Sequence, residues 1–164
     1  LRVGVGVDIM AKMTIKGTEE YALKLAKFGK DAPEIAKKVV MAGANPVADE
    51  IRKNLIANLN DQAYVGKGES FWGVKNNTPT GDLLNSFGIA PPDVDKNGNT
   101  NTKIGFEGYD RKGVPNALKA RAMESGTSRL RKRPFIRPAV VKMKGKAIEE
   151  MGKTLDREMK IYAL

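Results

Sequence analysis

The sequence contains no cysteine and no histidine. Disulfide bonds, thiolate nucleophiles and zinc sites of the usual Cys/His type are therefore excluded, and so is the usual general base with a pKa near neutrality. Carboxylates remain, but the adjacent pairs at positions 49–50 and 149–150 fall on expected helices, where neighbours point about 100° apart, and we expect them to be solvated. We predict a protein with no catalytic residue, no metal site and no cofactor, which is not an enzyme.

Aromatic residues are scarce, at 6% of the chain, and no apolar run approaches the roughly eighteen residues that span a bilayer. The N-terminus also lacks the basic start, apolar stretch and small-residue cleavage site of a signal peptide. Hydrophobic residues make up 41% of the 164 residues, which is enough for a mostly aliphatic core. We expect a soluble protein with a single domain at residues 13–164, preceded by an N-terminal arm or strand at residues 1–12.

The net charge of +10 is concentrated in one block of the chain. Residues 1–110 carry equal numbers of acidic and basic side chains, whereas residues 111–146 carry twelve Lys/Arg against the single Glu124. A local excess of this size attracts polyanions through long-range steering and counterion release. The alternative is a solvated basic face that serves only solubility.

The N-terminal half is expected to be mostly helical after a short strand at residues 14–16. Thr18 is a suitable N-cap for a first helix, which Gly29 is placed to end. Asp31 then caps a second, longer helix with a buried apolar stripe, and Pro46 is expected to kink or split it because proline removes a backbone donor.

The C-terminal half combines short strands with one long helix. Residues 80–89 predict a helical turn leading into a strand, residues 102–107 a return strand, and residues 119–124 a third strand, although their alanines also permit a helical turn. Apolar residues at helical spacing from 140 to 159 predict a long C-terminal helix whose stripe is core or subunit interface: Val140, Met143, Ala147, Ile148, Met151, Leu155 and Met159. The fold class is therefore α+β, with a small, mostly antiparallel sheet packed against two or three helices.

Residues 60–79 form an expected long loop that contains Tyr64, Phe71 and Trp72. A structureless loop of this length is uncommon in a compact domain unless it has a function. The aromatics fit a partner-contact anchor equally as well as they fit a cap folded over the core.

A basic cluster lies between a glycine turn and an apolar pair flanked by prolines. Gly126 permits a sharp turn, and Phe135 with Ile136 is expected to insert the start of the last helix into the core. The arginines have no such structural purpose, so we place DNA-channel or partner-docking contacts on this cluster: Arg129, Arg131, Lys132, Arg133 and Arg137.

Two motifs in this order resemble those of the tailed-phage tail-completion, or neck, proteins that join head to tail. The first is Thr-Gly-x-Leu-x-x-Ser, matched by Thr80, Gly81, Leu83 and Ser86. The second runs from Met123-Glu-Ser-Gly-Thr-Ser128 to Pro134-Phe-Ile-Arg-Pro-Ala139, and its structural residues are Glu124, Gly126, Thr127, Pro134, Phe135, Arg137 and Pro138. The chain departs from the family pattern in the interposed residues 60–78 and in Ser125, where the family usually has an aromatic residue.

The resemblance implies a structural protein of the virion, assembled in the cytoplasm of the bacterial host and located at the head–tail junction. It implies a homo-oligomeric ring, hexameric in the family, around the channel through which genomic DNA passes without sequence recognition. Its partners would be the head-completion or connector proteins and the tail tube or tail terminator proteins, and no membrane. It also places the family-like start at Met10 or Met13. The alternative is a free nucleic-acid-binding protein without sequence specificity that uses the basic block 111–146.

Overall fold

The computed structural model describes residues 18–61, 80–128 and 130–162, with side chains from residue 23 onward. These parts form an α+β fold, as the sequence predicts, with two small antiparallel sheets and a long C-terminal helix. The elements in chain order are α1 (Thr18–Asn60), α2 (Asp82–Asn85), β1 (Phe87–Ile89), β2 (Asp93–Val94), β3 (Thr100–Asn101), β4 (Ile104–Phe106), α3 (Asn116–Ser125) and α4 (Ile136–Met159). The expected N-terminal arm, the strand at 14–16 and nearly all of the loop 60–79 lie outside the described residues.

The largest packing unit is the antiparallel pair of α1 and α4. Two ion pairs mark its direction: Lys142 Nζ lies 2.7 Å from Glu50 Oε1, and Lys38 Nζ lies 2.8 Å from Glu158 Oε2. The start of α4 therefore lies beside the later part of α1, and the end of α4 lies beside its earlier part.

Among the glycines of α1 and α4, Gly43 is the one that lies closest to the other helix. A Cβ atom at this position would lie 2.6 Å from Met151 Cγ and 3.4 Å from the carbonyl oxygen of Ala147. An alanine here would force the Met151 side chain to move, which favours glycine despite its cost of about 1 kcal/mol in a helix interior.

The prediction of two separate N-terminal helices is wrong. Helix α1 is continuous from Thr18 to Asn60 and includes both Pro33 and Pro46, so the chain neither ends a helix at Gly29 nor splits at Pro46. The break was expected from local signals of about 1 to 3 kcal/mol each. Contacts with α4 and Tyr162 extend along α1 from Asp31 to Glu50 and hold it on both sides of Pro33 and Pro46.

Tyr162 holds the early part of α1 to the end of α4. Its hydroxyl donates a hydrogen bond of 2.6 Å to Asp31 Oδ2, and its ring meets Phe28 edge to face with centroids 5.3 Å apart. The hydrogen bond to the carboxylate raises the pKa of Tyr162 to about 12, because ionising the phenol would lose the bond and place two negative charges together. The predicted cap Asp31 thus binds the other end of the fold instead of starting a helix.

The described strands form two separate antiparallel sheets of two strands each. β1 pairs antiparallel with β4, with Phe87 opposite Phe106 and Ile89 opposite Ile104, and β2 pairs with β3 beyond them. The helical turn before β1 and the return strand β4 are both confirmed.

The expected third strand at residues 119–124 is wrong, because these residues belong to α3. Alanine has the highest helix propensity, and the alanines of this segment are compatible with a short helix that buries Ala120, Ala122 and Met123. The helical turn that the same alanines permitted is the correct alternative.

The hydrophobic core lies where α1, α3, β1 and the start of α4 meet. Phe135 and Leu55 are fully buried in it. The Phe106 ring lies 5.2 Å from Phe87 and 6.0 Å from Phe135, so one aromatic residue of the sheet connects two others in the core. Nine buried residues form the central cluster: Ala48, Ile51, Leu55, Leu83, Phe87, Ala120, Met123, Phe135 and Ala139.

Candidate functional site

The segment 124–138, which we call the joint, connects α3 to α4. Gly126, just after the end of α3, has φ 77° and ψ 170°, in the positive-φ region that favours glycine. A Cβ atom at Gly126 would lie 3.0 Å from the backbone nitrogen of Lys132 and 3.1 Å from the carbonyl oxygen of Leu130. Glycine is therefore required by both dihedral angle and space.

A closed turn follows Gly126. The backbone N–H of Thr127 donates to the carbonyl of Leu130 at 2.9 Å, and the N–H of Leu130 donates to Thr127 Oγ1 at 3.0 Å. Leu130, the last residue of this turn, is buried and so holds the turn against the rest of the protein. The Thr127 hydroxyl thus accepts a hydrogen bond from local backbone.

Glu124 caps the N-terminus of α4 from the last turn of α3. Its Oε2 accepts hydrogen bonds from the backbone N–H groups of Phe135 at 2.7 Å and Ile136 at 2.9 Å, and its Oε1 accepts one from Arg137 at 3.0 Å. The first N–H groups of a helix have no partner within the helix, and the positive end of its dipole favours a carboxylate. One side chain thus satisfies three of these donors.

Opposing effects act on the pKa of Glu124. Burial alone would raise it, but the three backbone hydrogen bonds, with the nearby charge of Arg137, outweigh burial and hold the pKa of Glu124 below its ordinary value of 4.5. Glu124 therefore binds α4 as a carboxylate at neutral pH.

Two asparagines of α1 hold the joint from the other side. Asn54 Nδ2 donates to the carbonyl of Phe135 at 3.2 Å, and Asn58 Nδ2 donates to the carbonyl of Arg133 at 3.1 Å. The N–H of Arg133 also donates to the carbonyl of Met123 at 2.8 Å. The prediction that Phe135 inserts the helix start into the core is confirmed. Its ring is fully buried, and its main chain is held by hydrogen bonds to Asn54 and Glu124.

The predicted basic cluster divides by exposure. Arg131, Lys132 and Arg137 are exposed and Arg133 is half-buried, whereas Arg129 lies outside the described residues. The joint therefore holds its backbone against α1 and α3 and directs three of its cations to solvent.

An open groove of about 400 Å³ lies at the junction of the joint and α4. Its floor is apolar and its rim is cationic, which suits an anionic partner that also has apolar contact surface. Lys142 on this rim is already paired with Glu50, so most of the available positive charge comes from the joint itself. The lining residues are Lys132, Pro134, Arg137, Pro138, Val141 and Lys142.

Two basic residues of the block 111–146 are paired with acidic residues away from this groove. Arg111 donates to Asp82 Oδ1 at 3.2 Å and to the carbonyl of Thr80, and Lys119 is ion-paired with Asp110. The bonds from Lys119 and from nearby backbone lower the pKa of Asp110 to about 2. Part of the block's charge is thus used inside the fold.

The other motif forms the start of the β1 hairpin. Gly81 has φ 82°, Thr80 Oγ1 donates to Asp82 Oδ2 at 2.9 Å, and Ser86 Oγ donates to the carbonyl of Leu83 at 2.8 Å. Leu83 is buried in the same core cluster as Phe135. The two motifs, separated by about forty residues in sequence, therefore meet in one core.

The sequence indicated the joint but not the hydrogen bonds that hold it to α1 and α4. Glu124 was identified only by resemblance, and neither Asn54 nor Asn58 was singled out. A helix cap supplied from a different helix leaves no short-range spacing, although the lone acid in a basic block is a usable signal. Tyr64, Phe71 and Trp72 lie outside the described residues, so their predicted partner contact stays a prediction.

Within the ranges 18–61, 80–128 and 130–162, the structure contains no group of three or more carboxylates placed to hold a metal ion. None of the helices in these ranges combines the length and apolarity needed to cross a bilayer. Compared with known proteins, the chain matches no protein-family model, no curated protein and no solved structure.

Proposed function

We propose that this chain is a structural protein of a phage or prophage virion that completes the tail and joins it to the head-side connector. In this role it forms a ring around the DNA channel, assembles in the bacterial cytoplasm and remains at the neck of the particle. It uses shape and charge and performs no catalysis.

The observation that supports this proposal most is the convergence of the two family-like motifs. Thr80 to Ser86 and Glu124 to Pro138 share one core, and nearly every motif residue has a geometric task there. Gly81 and Gly126 provide positive φ angles, Leu83 and Phe135 fill the core, and Glu124 caps α4. A chance likeness of sequence would not require the matching positions to cooperate in this way.

The groove fits a joining role better than a purely phosphate-binding one. Phosphate contacts need exposed Lys and Arg, whereas the floor of this groove consists of Pro134, Pro138 and Val141. An acidic protein neighbour with apolar side chains would use both parts. Exposed cations such as Arg131 can meanwhile contact DNA weakly and without sequence preference.

Electron microscopy of assembled particles tests the assignment. We expect density for this chain, located with a tag or a bound antibody fragment, at the junction of head and tail. Location anywhere else in the particle, or absence from the particle, would overturn the proposal.

A charge-matched pair of variants tests the site. Neutralising the joint with Arg131→Gln, Lys132→Gln and Arg137→Gln is expected to reduce incorporation into particles at least about tenfold. The control removes the same charge from exposed positions elsewhere, as Lys27→Gln, Lys96→Gln and Lys103→Gln, and is expected to incorporate normally. Equal incorporation of both triple variants would show that the joint does not dock the neighbour.

The alternative, a free nucleic-acid-binding protein, makes a different prediction for the isolated chain. Neutralising several phosphates gives an affinity for DNA that falls steeply, by about a thousandfold or more, between low and physiological salt. Mass measurement combined with a salt titration separates the two functions: a DNA-avid monomer or dimer outside any particle favours the alternative.

A further inference from the structure

Helix α4 has a second apolar face, opposite the one that packs on α1. Residues of the inner face, such as Met143, Ala147 and Met151, are half-buried against α1, whereas Val141 and Ile148 are 79% and 60% exposed. We call the second face the outer stripe. Its members recur at alternating spacings of four and three along the helix: Val141, Gly145, Ile148, Gly152, Leu155 and Met159.

The two glycines of the outer stripe are unexpected in an isolated surface helix. Each lowers helix stability by about 1 kcal/mol relative to alanine. Unlike Gly43, which α4 contacts closely, Gly145 and Gly152 have no atom within 4 Å of the position of an added Cβ. The described fold therefore gives no reason for either glycine, but close approach of a further helix would.

The spacing of four and three is also that of a helix-pairing seam. If a second copy of α4 lies antiparallel to the first, with the centre of the pair near residue 150, large residues of one stripe lie opposite small residues of the other. Ile148 then faces Gly152 of the second helix, Leu155 faces Gly145, and Val141 faces Met159. The stripe is thus complementary to an antiparallel copy of itself.

The charges beside the stripe are complementary in the same orientation. The first half of α4 is basic, through Lys142, Lys144 and Lys146, and the second half has four acidic residues against two basic ones, Lys153 and Arg157. Lys142 and Glu158 are already paired with Glu50 and Lys38 of α1, so the complementarity rests on the net charge of each half and not on these two residues. An antiparallel copy brings basic halves onto acidic halves, whereas a parallel copy would place lysines against lysines. Near the centre, Lys153 is ion-paired with both Glu149 at 2.6 Å and Glu150 at 3.2 Å, which offsets one of their two negative charges within each chain.

We propose that two copies of this chain associate through their outer stripes, as an antiparallel two-fold pair of α4 helices. A two-fold contact closes on itself, so it is separate from the head-to-tail contacts that a ring requires, and the inference does not rest on the virion assignment. Because the pair covers Val141, it and a neighbour docked in the groove exclude each other. A helix of 24 residues is about 36 Å long, which places the buried area at the low end for stable interfaces. We therefore expect a dissociation constant in the micromolar range.

Sedimentation velocity of the full chain from about 1 to about 200 μM tests the pairing. We expect a concentration-dependent dimer that Ile148→Asp weakens about a hundredfold or more, because both copies would bury an unpaired carboxylate near the axis. A wild-type chain that stays monomeric over this range overturns the proposal. So does an Ile148→Asp variant that dimerises normally, or one that unfolds as a monomer, since unfolding would mean that the chain's own residues cover the stripe.

The glycines provide a test that separates packing from folding. Gly145→Ala is expected to raise the melting temperature of the monomer by about 3 °C and to weaken the dimer about tenfold. The matched control is Gly29→Ala in α1, which also has open space around the added Cβ and is expected to stabilise the fold without changing the dimer. Equal dimer affinities for the two variants would refute close approach at Gly145.

Orientation can be tested by cysteine crosslinking, because the chain has no cysteine of its own. A mixture of Val141→Cys and Met159→Cys variants is expected to form the mixed disulfide in preference to either symmetric one. Preference for the symmetric Val141→Cys disulfide would indicate a parallel pair and overturn the proposed geometry.

Discussion

Replacing Glu124 is the sharpest test of how α3 and α4 are joined. In Glu124→Ala the N–H groups of Phe135, Ile136 and Arg137 lose their acceptors together. Loss of an N-cap costs about 1 kcal/mol, loss of a carboxylate at the positive helix end about 0.5 to 1 kcal/mol, and a donor left buried without a partner about 1 to 3 kcal/mol. Of the three donors, only the N–H of Phe135 belongs to a fully buried residue, so the cost of a buried unpaired donor applies once. We therefore expect a total loss near 3 kcal/mol.

The assay is urea or thermal unfolding followed by circular dichroism. A loss of about 3 kcal/mol in a domain of this size lowers the melting temperature by about 10 °C. The matched control is Glu149→Ala, which removes a carboxylate from an exposed i,i+4 pair with Lys153 and is expected to leave the stability nearly unchanged. If both variants lose the same stability, Glu124 does not act as the cap of α4.

The pH dependence gives a second measure of the same cap. A carboxyl whose folded pKa is depressed adds stability that is complete above its unfolded pKa, near 4.5, and is lost as the pH falls through the folded value. Glu124→Gln keeps the shape without the charge, so its deficit relative to the wild type is expected at neutral pH and should disappear in acid. A deficit that is independent of pH would contradict a charged cap.

Three further predictions concern the close approaches and the tyrosine bond. Gly43→Ala is expected to lose about 1 to 2 kcal/mol in urea unfolding, because its Cβ would lie 2.6 Å from Met151 Cγ, and Met151→Ala in the same chain is expected to recover part of that loss. Gly126→Ala is expected to cost about 2 kcal/mol or more by the same assay, since alanine disfavours φ 77° and its Cβ would meet the backbone; a neutral effect would contradict the geometry of the joint. Ultraviolet titration should show one tyrosine ionising near pH 12 that is missing in Tyr162→Phe; the stability from its bond to Asp31 is present below about pH 10 and is lost as the pH rises through the folded pKa.

The parts of the fold that the sequence predicted correctly are those specified by local patterns. Helical spacing of apolar residues predicted α4, and alternation predicted β4. The single stripe predicted on α4 divides in the structure, however: Met143, Ala147 and Met151 are half-buried, whereas Val140, Ile148, Leu155 and Met159 are exposed. The errors arose where distant contacts outweigh a local signal. Gly29 favours a helix end and Asp31 a new helix start, yet α1 continues where Tyr162, just beyond α4, holds this region from more than a hundred residues away.

The candidate site shows the same division. The positive φ at Gly126 and the burial of Phe135 were predictable, since both depend on residue type and immediate neighbours. The hydrogen bonds from Asn54 and Asn58 were not, because their partners are 81 and 75 residues further along the chain. The charge of the block was visible in the sequence, but the internal pairing of Arg111 and Lys119 was not.

The pairing of α1 with α4 also determines when this fold can form during synthesis. The buried stripe of α1, including Ile51 and Leu55, is made early, whereas the helix that covers it is not translated until residues 136–159. Closing a chain segment of this length is entropically costly, and folds that depend on distant contacts form slowly. We therefore expect the nascent chain to expose an apolar helix face through most of its translation and to depend on chaperones that bind such faces.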